Sequence, residues 1–405
     1  MKKLLLLFCL LVFSTSQSQW MQNINGRSVW SFGVDKQNKL YAGGLTGSNS
    51  RIWKYNGIAW DTIYSGTGQT MWAFGFDTIG TFGNMYVANY SSGLLKSTNG
   101  GMNFTTIDIT NFQNKNPQGV ACSKNGTIHV TTANGYFRST NGGVSFDTAL
   151  TGLNCLPILV DNSNPNIVLV GVSGGTGGFG VYRSTNGGAT FGPNTNPGKN
   201  GYNLLQYGGA YYMITTTSPY NFDRSTDQGQ TWVTLGNAPN AMRGISVELG
   251  SGLYIGGNGG VYKSSNGGVN WNTMNLSGSV TPVIFWGNRI WAGVSGASGG
   301  AYYYTIPDDI TNQSSSVIEN YTLHQNYPNP FNPTTKIIYE LKKSEFILLT
   351  VYDALGNEVK QLESGYKNAG RYEVDFNGEN LSSGSYFIKL NVNGNILTKA
   401  MTLLK

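Results

Sequence analysis

The chain has 405 residues, of which 56 are glycine and 24 are tyrosine, and only 11% are charged. No long stretch has helical periodicity, and short apolar and aromatic runs alternate with Gly, Asn and Ser. This composition excludes a helical protein and indicates an all-β fold. The net charge of +6 is modest and no run of Lys or Arg is present, which argues against a nucleic-acid-binding protein.

The first segment, residues 1–19, has the features of a signal peptide. Two lysines precede an apolar run over residues 4–13, and small residues follow it. The apolar run is about half as long as a transmembrane helix requires. We therefore expect export across the inner membrane, no transmembrane segment, and a mature chain that begins near Gln19 or Trp20.

Residues 20–306 contain a repeat with a period of 39 to 45 residues. Five clear copies of the pattern S-x-[ND]-x-G-x-x-[WF] occur, a degenerate copy ends at Trp60, and Trp20 lies one period further upstream. Each period also holds four short strand-like runs, which is typical of a β-propeller blade. The aromatic residues that end the five clear copies are Phe104, Phe146, Phe191, Trp232 and Trp271.

The two ends of the repeat region complement each other. The last repeat has three predicted strands, of which the third is at residues 301–305, but it has no fourth. The N-terminus supplies an isolated fourth strand at Trp20. Because pairing of the two would remove an exposed sheet edge, we predict a seven-bladed β-propeller whose N-terminal strand closes the last blade.

The repeated turn resembles the Asp-box, or BNR, repeat of the sialidase-like superfamily, which also includes xyloglucanases. The Gly permits positive φ, and the Ser and Asn or Asp side chains can bond amides of the turn itself. The resemblance implies a structural hairpin at the blade periphery. The residues that carry it are Ser97, Asn99, Gly101 and Phe104; Ser139, Asn141, Gly143 and Phe146; Ser184, Asn186, Gly188 and Phe191; Ser225, Asp227, Gly229 and Trp232; and Ser264, Asn266, Gly268 and Trp271.

The character of the sequence changes after a polar linker at residues 307–320. Three prolines within residues 327–333 exclude a helix there. The alternating runs that follow, with tight Asn-Gly and Gly-Asn turns, predict a small immunoglobulin-like β-sandwich over residues 321–405.

This tail resembles the type A C-terminal sorting domain of the type IX (Por) secretion system. The matching features are YPNPFNP at 327–333, VYDALGNEV at 351–359, Gly384 with the Tyr-Phe pair at 386–387, and the terminal Lys405. The resemblance implies that the type IX secretion machinery is a partner of residues 321–405 and that the protein is secreted or held on the outer-membrane surface. The alternative is an ordinary immunoglobulin-like adhesion module.

Candidates for catalysis are few. Glycoside hydrolysis generally needs two carboxylates, and Asp35, Asp77 and Asp161 recur at the ends of first strands, which indicates a turn role. We therefore predict no catalytic residue. The alternative is a polysaccharide-degrading glycoside hydrolase, xyloglucanase-like or sialidase-like, whose acids would come from those three residues and Glu248.

The sequence predicts neither a metal site nor a cofactor. His129 occupies a second-strand position that holds a Tyr or Trp in other repeats, which indicates a core residue, and no cluster of His, Cys and carboxylate suits a metal.

The loops between second and third strands and between blades form the predicted ligand face. Aromatic rings among Asn, Ser and Gly suit stacking on sugars or contact with a partner loop, so we expect a non-catalytic monomer that binds a glycan or a protein. Packing of the same rings on their own blades is the alternative. The candidate binding residues are Tyr64, Tyr90, Phe179, Tyr202, Tyr220, Arg27 and Arg243.

Overall fold

The computed structural model describes residues 20–67, 70–113, 115–175, 178–207, 209–247, 252–296, 299–306, 321–342, 345–354, 356–392 and 395–405. The predicted signal peptide at residues 1–19 and the predicted linker at 307–320 lie outside these ranges.

The described residues between Met21 and Thr305 form β-strands and one turn of 3₁₀-helix at Ile109–Phe112. The strands in chain order are β1 (Met21–Asn25), β2 (Ser28–Val34), β3 (Leu40–Thr46), β4 (Asn49–Tyr55), β5 (Trp60–Thr67), β6 (Met71–Phe76), β7 (Met85–Asn89), β8 (Gly93–Ser97), β9 (Thr105–Ile107), β10 (Pro117–Cys122), β11 (Ile128–Thr132), β12 (Gly135–Ser139), β13 (Asp147–Ala149), β14 (Leu153–Val160), β15 (Val168–Gly175), β16 (Phe179–Ser184), β17 (Gly201–Tyr207), β18 (Ala210–Thr215), β19 (Asn221–Ser225), β20 (Val233–Asn237), β21 (Met242–Val247), β22 (Leu253–Gly257), β23 (Gly260–Ser264), β24 (Asn272–Thr273), β25 (Ser279–Trp286), β26 (Arg289–Ser295) and β27 (Gly300–Thr305).

These strands pair into antiparallel sheets, seven in the part of the chain that the structure describes. The sheets are β2–β5, β6–β9, β10–β13, β14–β16, β17–β20, β21–β24, and β25–β27 together with β1. Within each sheet the strands follow one another in chain order, except that β1 joins from the other end of the region. Consecutive hairpins therefore build each sheet locally.

The first strands of the seven sheets form a closed ring. β2, β6, β10, β14, β17, β21 and β25 each contact the next in that order, and β25 contacts β2. Neighbouring sheets also share hydrophobic clusters: Tyr41 and Ile52 of one sheet pack with Met85 and Val87 of the next. The hydrophobic core of this region is thus divided among the interfaces between sheets.

The N-terminal strand pairs with the last strand of the repeat region, as the strand count predicts. β1 lies antiparallel to β27, with Met21 opposite Tyr303 and Asn25 opposite Gly300. Trp20 adds a long-range contact, since its indole Nε1 donates a hydrogen bond to the carbonyl of Met274 at 2.8 Å.

The prediction of four strands in every repeat is wrong for the sheet β14–β16, which has three. After Phe191 the chain continues as GPNTNPG, and Pro193 and Pro197 lack the N–H that a fourth strand would donate. An isolated bridge between Tyr182 and Asn194 takes the place of that strand.

The five copies of the repeated turn share one hydrogen-bond pattern. The Ser hydroxyl oxygen accepts a bond from the N–H of the Gly four residues later, at 2.8–3.0 Å. The Asn or Asp Oδ1 accepts one from the N–H four residues after it, at 2.9–3.0 Å. That Gly has φ between 80° and 94° in all five copies, a region that favours glycine. These polar groups are therefore engaged within the turn itself.

Residues 321–405 form two further sheets in the described part of the tail. Their strands are β28 (Thr322–Leu323), β29 (Thr334–Leu341), β30 (Glu345–Asp353), β31 (Glu358–Lys367), β32 (Gly370–Asn377), β33 (Gly384–Val392) and β34 (Asn395–Leu403). The sheet orders are β28-β29-β32 and β31-β30-β33-β34.

Both tail sheets contribute to one hydrophobic core. Ile337 of β29 and Leu349 and Ile388 of the other sheet are buried in the same cluster. Phe331, from the proline-rich segment, is also buried there. Its N–H donates to the carbonyl of Thr402 at 2.9 Å, and its carbonyl accepts from Leu404 at 3.0 Å. The proline-rich segment is thereby fixed to the last strand.

Candidate ligand-binding site

Each first strand of the ring carries a β-bulge near its start. In β2, Val29 lies opposite Gly44 and Ser31 opposite Gly43, so Trp30 has no partner of its own on β3. The other six first strands have a register shift at the corresponding position. A bulge bends the strand locally and changes the direction of a side chain. The bulge residues are Trp30, Trp72, Gln118, Leu156, Pro157, Tyr202, Arg243, Thr281 and Pro282.

All of the bulge residues line one cavity of about 310 Å³, which we name the central cavity. Every one of the seven first strands contributes to its lining, so the cavity lies at the middle of the ring.

Two tryptophans form an aromatic wall of the central cavity. The ring centroids of Trp30 and Trp72 are 5.7 Å apart, with an angle of 53° between the planes. Tyr90 packs on the Trp72 ring at 6.4 Å. The indole Nε1 atoms of both tryptophans are buried and have no hydrogen-bond partner. The wall therefore offers apolar ring faces to the cavity, while the two indole N–H groups are enclosed by the protein.

A second part of the lining is polar and carries a positive charge. The side-chain amide of Asn203 donates to the backbone carbonyl of Arg243 at 2.9 Å, which links two first strands at this point. Burial raises the pKa of Tyr202, although the nearby Arg243 charge opposes the rise. The Tyr202 phenol is thus a neutral hydrogen-bonding group at pH 7. Among the described residues of the lining, Arg243 is the one charged side chain.

The carboxylates considered for catalysis lie at the other end of the first strands. Asp35, Asp77 and Asp161 each follow the bulge position of their strand by five residues, which is roughly 16 Å of extended chain. The Asp35 carboxylate accepts bonds from the N–H groups of Gln37 and Lys39 at 2.9 and 2.8 Å, and from the Tyr41 hydroxyl at 2.9 Å.

The other two carboxylates have the same kind of environment. Asp77 accepts bonds from the N–H groups of Ile79 and Asn84 at 2.9 and 2.8 Å. Burial acts to raise the pKa of Asp161, but hydrogen bonds from Ser163 and Tyr211 outweigh it and hold that pKa at about 2. A carboxyl group with such a low pKa is a poor general acid near neutral pH. Glu248, the fourth candidate, lies outside the described residues.

His129 is fully buried, as its repeat position predicts. Its Nε2 lies 2.8 Å from the Ser123 hydroxyl and its Nδ1 lies 2.5 Å from the Tyr136 hydroxyl. Burial, reinforced by the Arg138 charge, lowers the pKa of His129 to about 3, so the imidazole is neutral and structural. Within the described residues, no group of three or more His, Cys, Asp and Glu is placed to hold a metal ion.

The predicted binding residues are spread over the molecule. Tyr202 and Arg243 line the central cavity, and Tyr90 contacts the cavity tryptophan Trp72. The other four do not belong to the lining that the structure describes: Tyr64 packs on Phe104, Arg27 lies over the Trp53 ring, Tyr220 packs in a core cluster, and Phe179 is exposed at the start of β16.

Trp30, Trp72, Gln118 and Thr281 were not predicted from the sequence. A signal for the two tryptophans exists in the repeat, because Trp30 and Trp72 each precede the Asp that ends their first-strand run by five residues, as in VWSFGVD and MWAFGFD. The repeat alignment therefore places Trp30, Trp72 and Arg243 at one equivalent position.

Comparisons with known proteins identify the tail and the fold. Residues 325–403 match a family described as the secretion system C-terminal sorting domain. A comparison with curated protein sequences finds no match.

Similar solved structures include YCF48 from Cyanidioschyzon merolae, with 12% identity, coverage of 72% of this chain and 99% of that chain, and a TM-score of 0.52. The GH74 enzyme of Niastella koreensis has 15% identity, coverage of 95% and 74%, and a TM-score of 0.56. The extracellular domain of the putative hybrid two component system BT3049 from B. thetaiotaomicron has 15% identity, coverage of 95% and 57%, and a TM-score of 0.54. At these identities the likeness is one of fold alone, and that fold is the β-propeller.

None of the helical segments among the described residues is long and apolar enough to span a membrane. The family match at residues 325–403 concerns a domain whose role is sorting. The chain is a β-propeller protein with a C-terminal sorting domain, and it is exported through the type IX secretion system to the cell surface or the medium.

Proposed function

We propose that this protein is an exported, non-catalytic, seven-bladed Asp-box propeller that binds a saccharide in its central cavity. The observation that carries the proposal is the set of bulges, since every first strand of the ring turns at least one side chain into the same cavity. Bulges of this kind are common beside binding and active sites.

The lining suits a sugar. The apolar faces of Trp30 and Trp72 can stack on the C–H faces of a pyranose ring, while Tyr202, Asn203 and Arg243 bring polar side chains to the same lining. A volume of about 310 Å³ lies within the range of small-ligand sites. An aromatic surface with a few convergent polar groups is the usual composition of such a site.

A hydrolase is the weaker interpretation of the same cavity. No carboxylate belongs to the described lining, and Asp35, Asp77 and Asp161 are held in turns at the far end of the strands. Hydrolysis of a glycoside generally needs two carboxyl groups about 5 to 10 Å apart across the scissile bond. The likeness to a GH74 enzyme is one of fold and does not add those groups.

The seven-blade count is supported by the ring order of the first strands and by the pairing of β1 with β27. The Asp-box assignment is supported by the common hydrogen bonds of the five turns. We further propose that residues 321–405 form a β-sandwich on which the secretion machinery acts, supported by their two sheets around one core.

An oligosaccharide array with the purified full chain tests the proposal. We expect selective binding of one class of saccharide, and we expect Trp72→Ala to weaken it by about tenfold or more because a stacking face is lost. Trp286→Ala is the matched control, since Trp286 is also half-buried but lines a different cavity at the other end of β25.

Thermal unfolding of both variants separates loss of binding from loss of folding. Equal saccharide affinity in the two variants would place the ligand outside the central cavity. Failure of the array, with capture of a peptide instead, would favour a protein ligand over a sugar.

A further inference from the structure

We infer that the saccharide carries a carboxylate group, as in a uronic acid, and that Arg243 pairs with it. The inference rests on the proposed function and names the chemical class of ligand that this same cavity selects.

The charge of the cavity supports an anionic ligand. Arg243 is half-buried among the bulge residues and is the one charged side chain in the described lining. No carboxylate lies near enough to form an ion pair with it among the described residues. A partly desolvated cation without a counter-charge favours an anion over a neutral ligand. A carboxylate matches the planar guanidinium through two parallel hydrogen bonds.

The ring order places Arg243 across the cavity from part of the lining. Arg243 is on β21, and in the order of the ring β6 and β10, with Trp72 and Gln118, lie farthest from it. A uronic acid bears its carboxylate on the edge of the sugar ring. When the flat face of the sugar stacks on the indole rings of Trp30 and Trp72, the edge that bears the carboxylate can therefore extend across the cavity to the Arg243 guanidinium.

Paired saccharides test this inference. An acidic oligosaccharide such as a polygalacturonate fragment is compared with its carboxyl-reduced product, which has the same linkages and no charge. We expect the full chain to bind the acidic form at least about tenfold more tightly. We also expect its affinity to fall with added salt, because a paired charge is screened.

Variants assign the preference to one residue. Arg243→Gln is expected to abolish the difference between the acidic and reduced sugars, and Arg243→Lys to retain only part of it, since an ammonium lacks the fork geometry. Arg224→Gln is the control, because Arg224 is an exposed arginine on β19 away from the cavity.

The outcomes separate the two proposals. Equal affinity for the acidic and the reduced saccharide contradicts the carboxylate inference but does not contradict the proposed saccharide function. A preference for the acidic form that survives Arg243→Gln also contradicts it. If the protein binds neither the acidic nor the reduced saccharide and no saccharide on the array, the proposed saccharide function and the carboxylate inference are both contradicted.

Discussion

At the residue scale, Ser184 illustrates how the repeated turn is held. Its side chain is buried, and its oxygen accepts the N–H of Gly188 at 2.9 Å while its hydroxyl donates to Asn186 Oδ1 at 2.8 Å. Loss of the hydroxyl leaves the Gly188 N–H without its acceptor, and a buried unsatisfied donor costs free energy of folding.

Ser184→Ala is therefore expected to lower the free energy of unfolding by about 1 to 3 kcal/mol. The neighbouring exposed Thr185 is the control, and Thr185→Ala should change stability by less than about 0.5 kcal/mol. Urea unfolding of the two variants is the measurement. Equal stabilities would contradict the structural role of the turn.

The turn residues could be predicted from sequence, whereas of the bulge residues in the cavity only Tyr202 and Arg243 were predicted. The hydrogen bonds of Ser184, Asn186 and Gly188 lie within one eight-residue stretch. The roles of these residues can therefore be predicted from the local sequence pattern. The direction of Trp30 and Trp72 depends on a register shift against the next strand. A register shift is a property of two paired strands and leaves no mark in either run alone.

At the element scale, a basic residue on the third strand links each of several sheets to the next. The Nζ of Lys96 lies 5.7 Å from the ring centroid of Tyr86, its cross-strand partner, and donates to the Gly142 carbonyl in the turn of the following sheet at 2.8 Å. Arg183 makes the corresponding bond to the Gln228 carbonyl at 2.7 Å. The repeated Lys or Arg position was visible in the sequence, but its contact with the next turn is tertiary.

Lys96→Met is expected to cost about 1 to 2 kcal/mol, because it removes the bond to Gly142 and the contact with the Tyr86 ring while it keeps an apolar side chain. Arg224→Met provides the comparison, since Arg224 holds the equivalent position but is exposed. The free energy of unfolding of the Arg224→Met variant should change by less than about 0.5 kcal/mol. A larger loss for Arg224→Met than for Lys96→Met, in thermal unfolding, would show that these contacts do not stabilise the ring.

Closure by β1 is a second property at this scale. Deletion of residues 20–26 exposes the β27 edge and removes the buried Ile24. We expect a loss of at least about 3 kcal/mol and increased aggregation through the open edge. Met21→Ser, at an exposed position of β1, keeps the backbone pairing and should unfold like the parent chain. An unchanged melting temperature for the deletion would contradict the closed ring.

At the scale of the whole molecule, binding and export are assigned to different residues. The central cavity is lined by residues between Trp30 and Ile284, and the sorting family matches residues 325–403. The tail sheets have a hydrophobic core of their own. The proposed division could be drawn from the sequence because the change in repeat pattern and the proline-rich segment are both local features.

Removal of residues 321–405 should leave a folded propeller that is no longer exported, because the sorting signal is lost while the strands of the ring remain. Fractionation in a host with a type IX secretion system is the measurement, with the same tail fused to an unrelated exported reporter as the converse control. The truncated chain should stay in the periplasm and the reporter should reach the surface or medium. Normal amounts of truncated chain outside the cell would contradict the role of the tail.

A structure of the full chain with the oligosaccharide that binds most tightly on the array tests the proposed binding site directly. We expect a sugar ring on the faces of Trp30 and Trp72, within the ring of first strands, and a carboxylate beside the Arg243 guanidinium. A ligand bound anywhere else on the protein, with the central cavity unaltered, would contradict it.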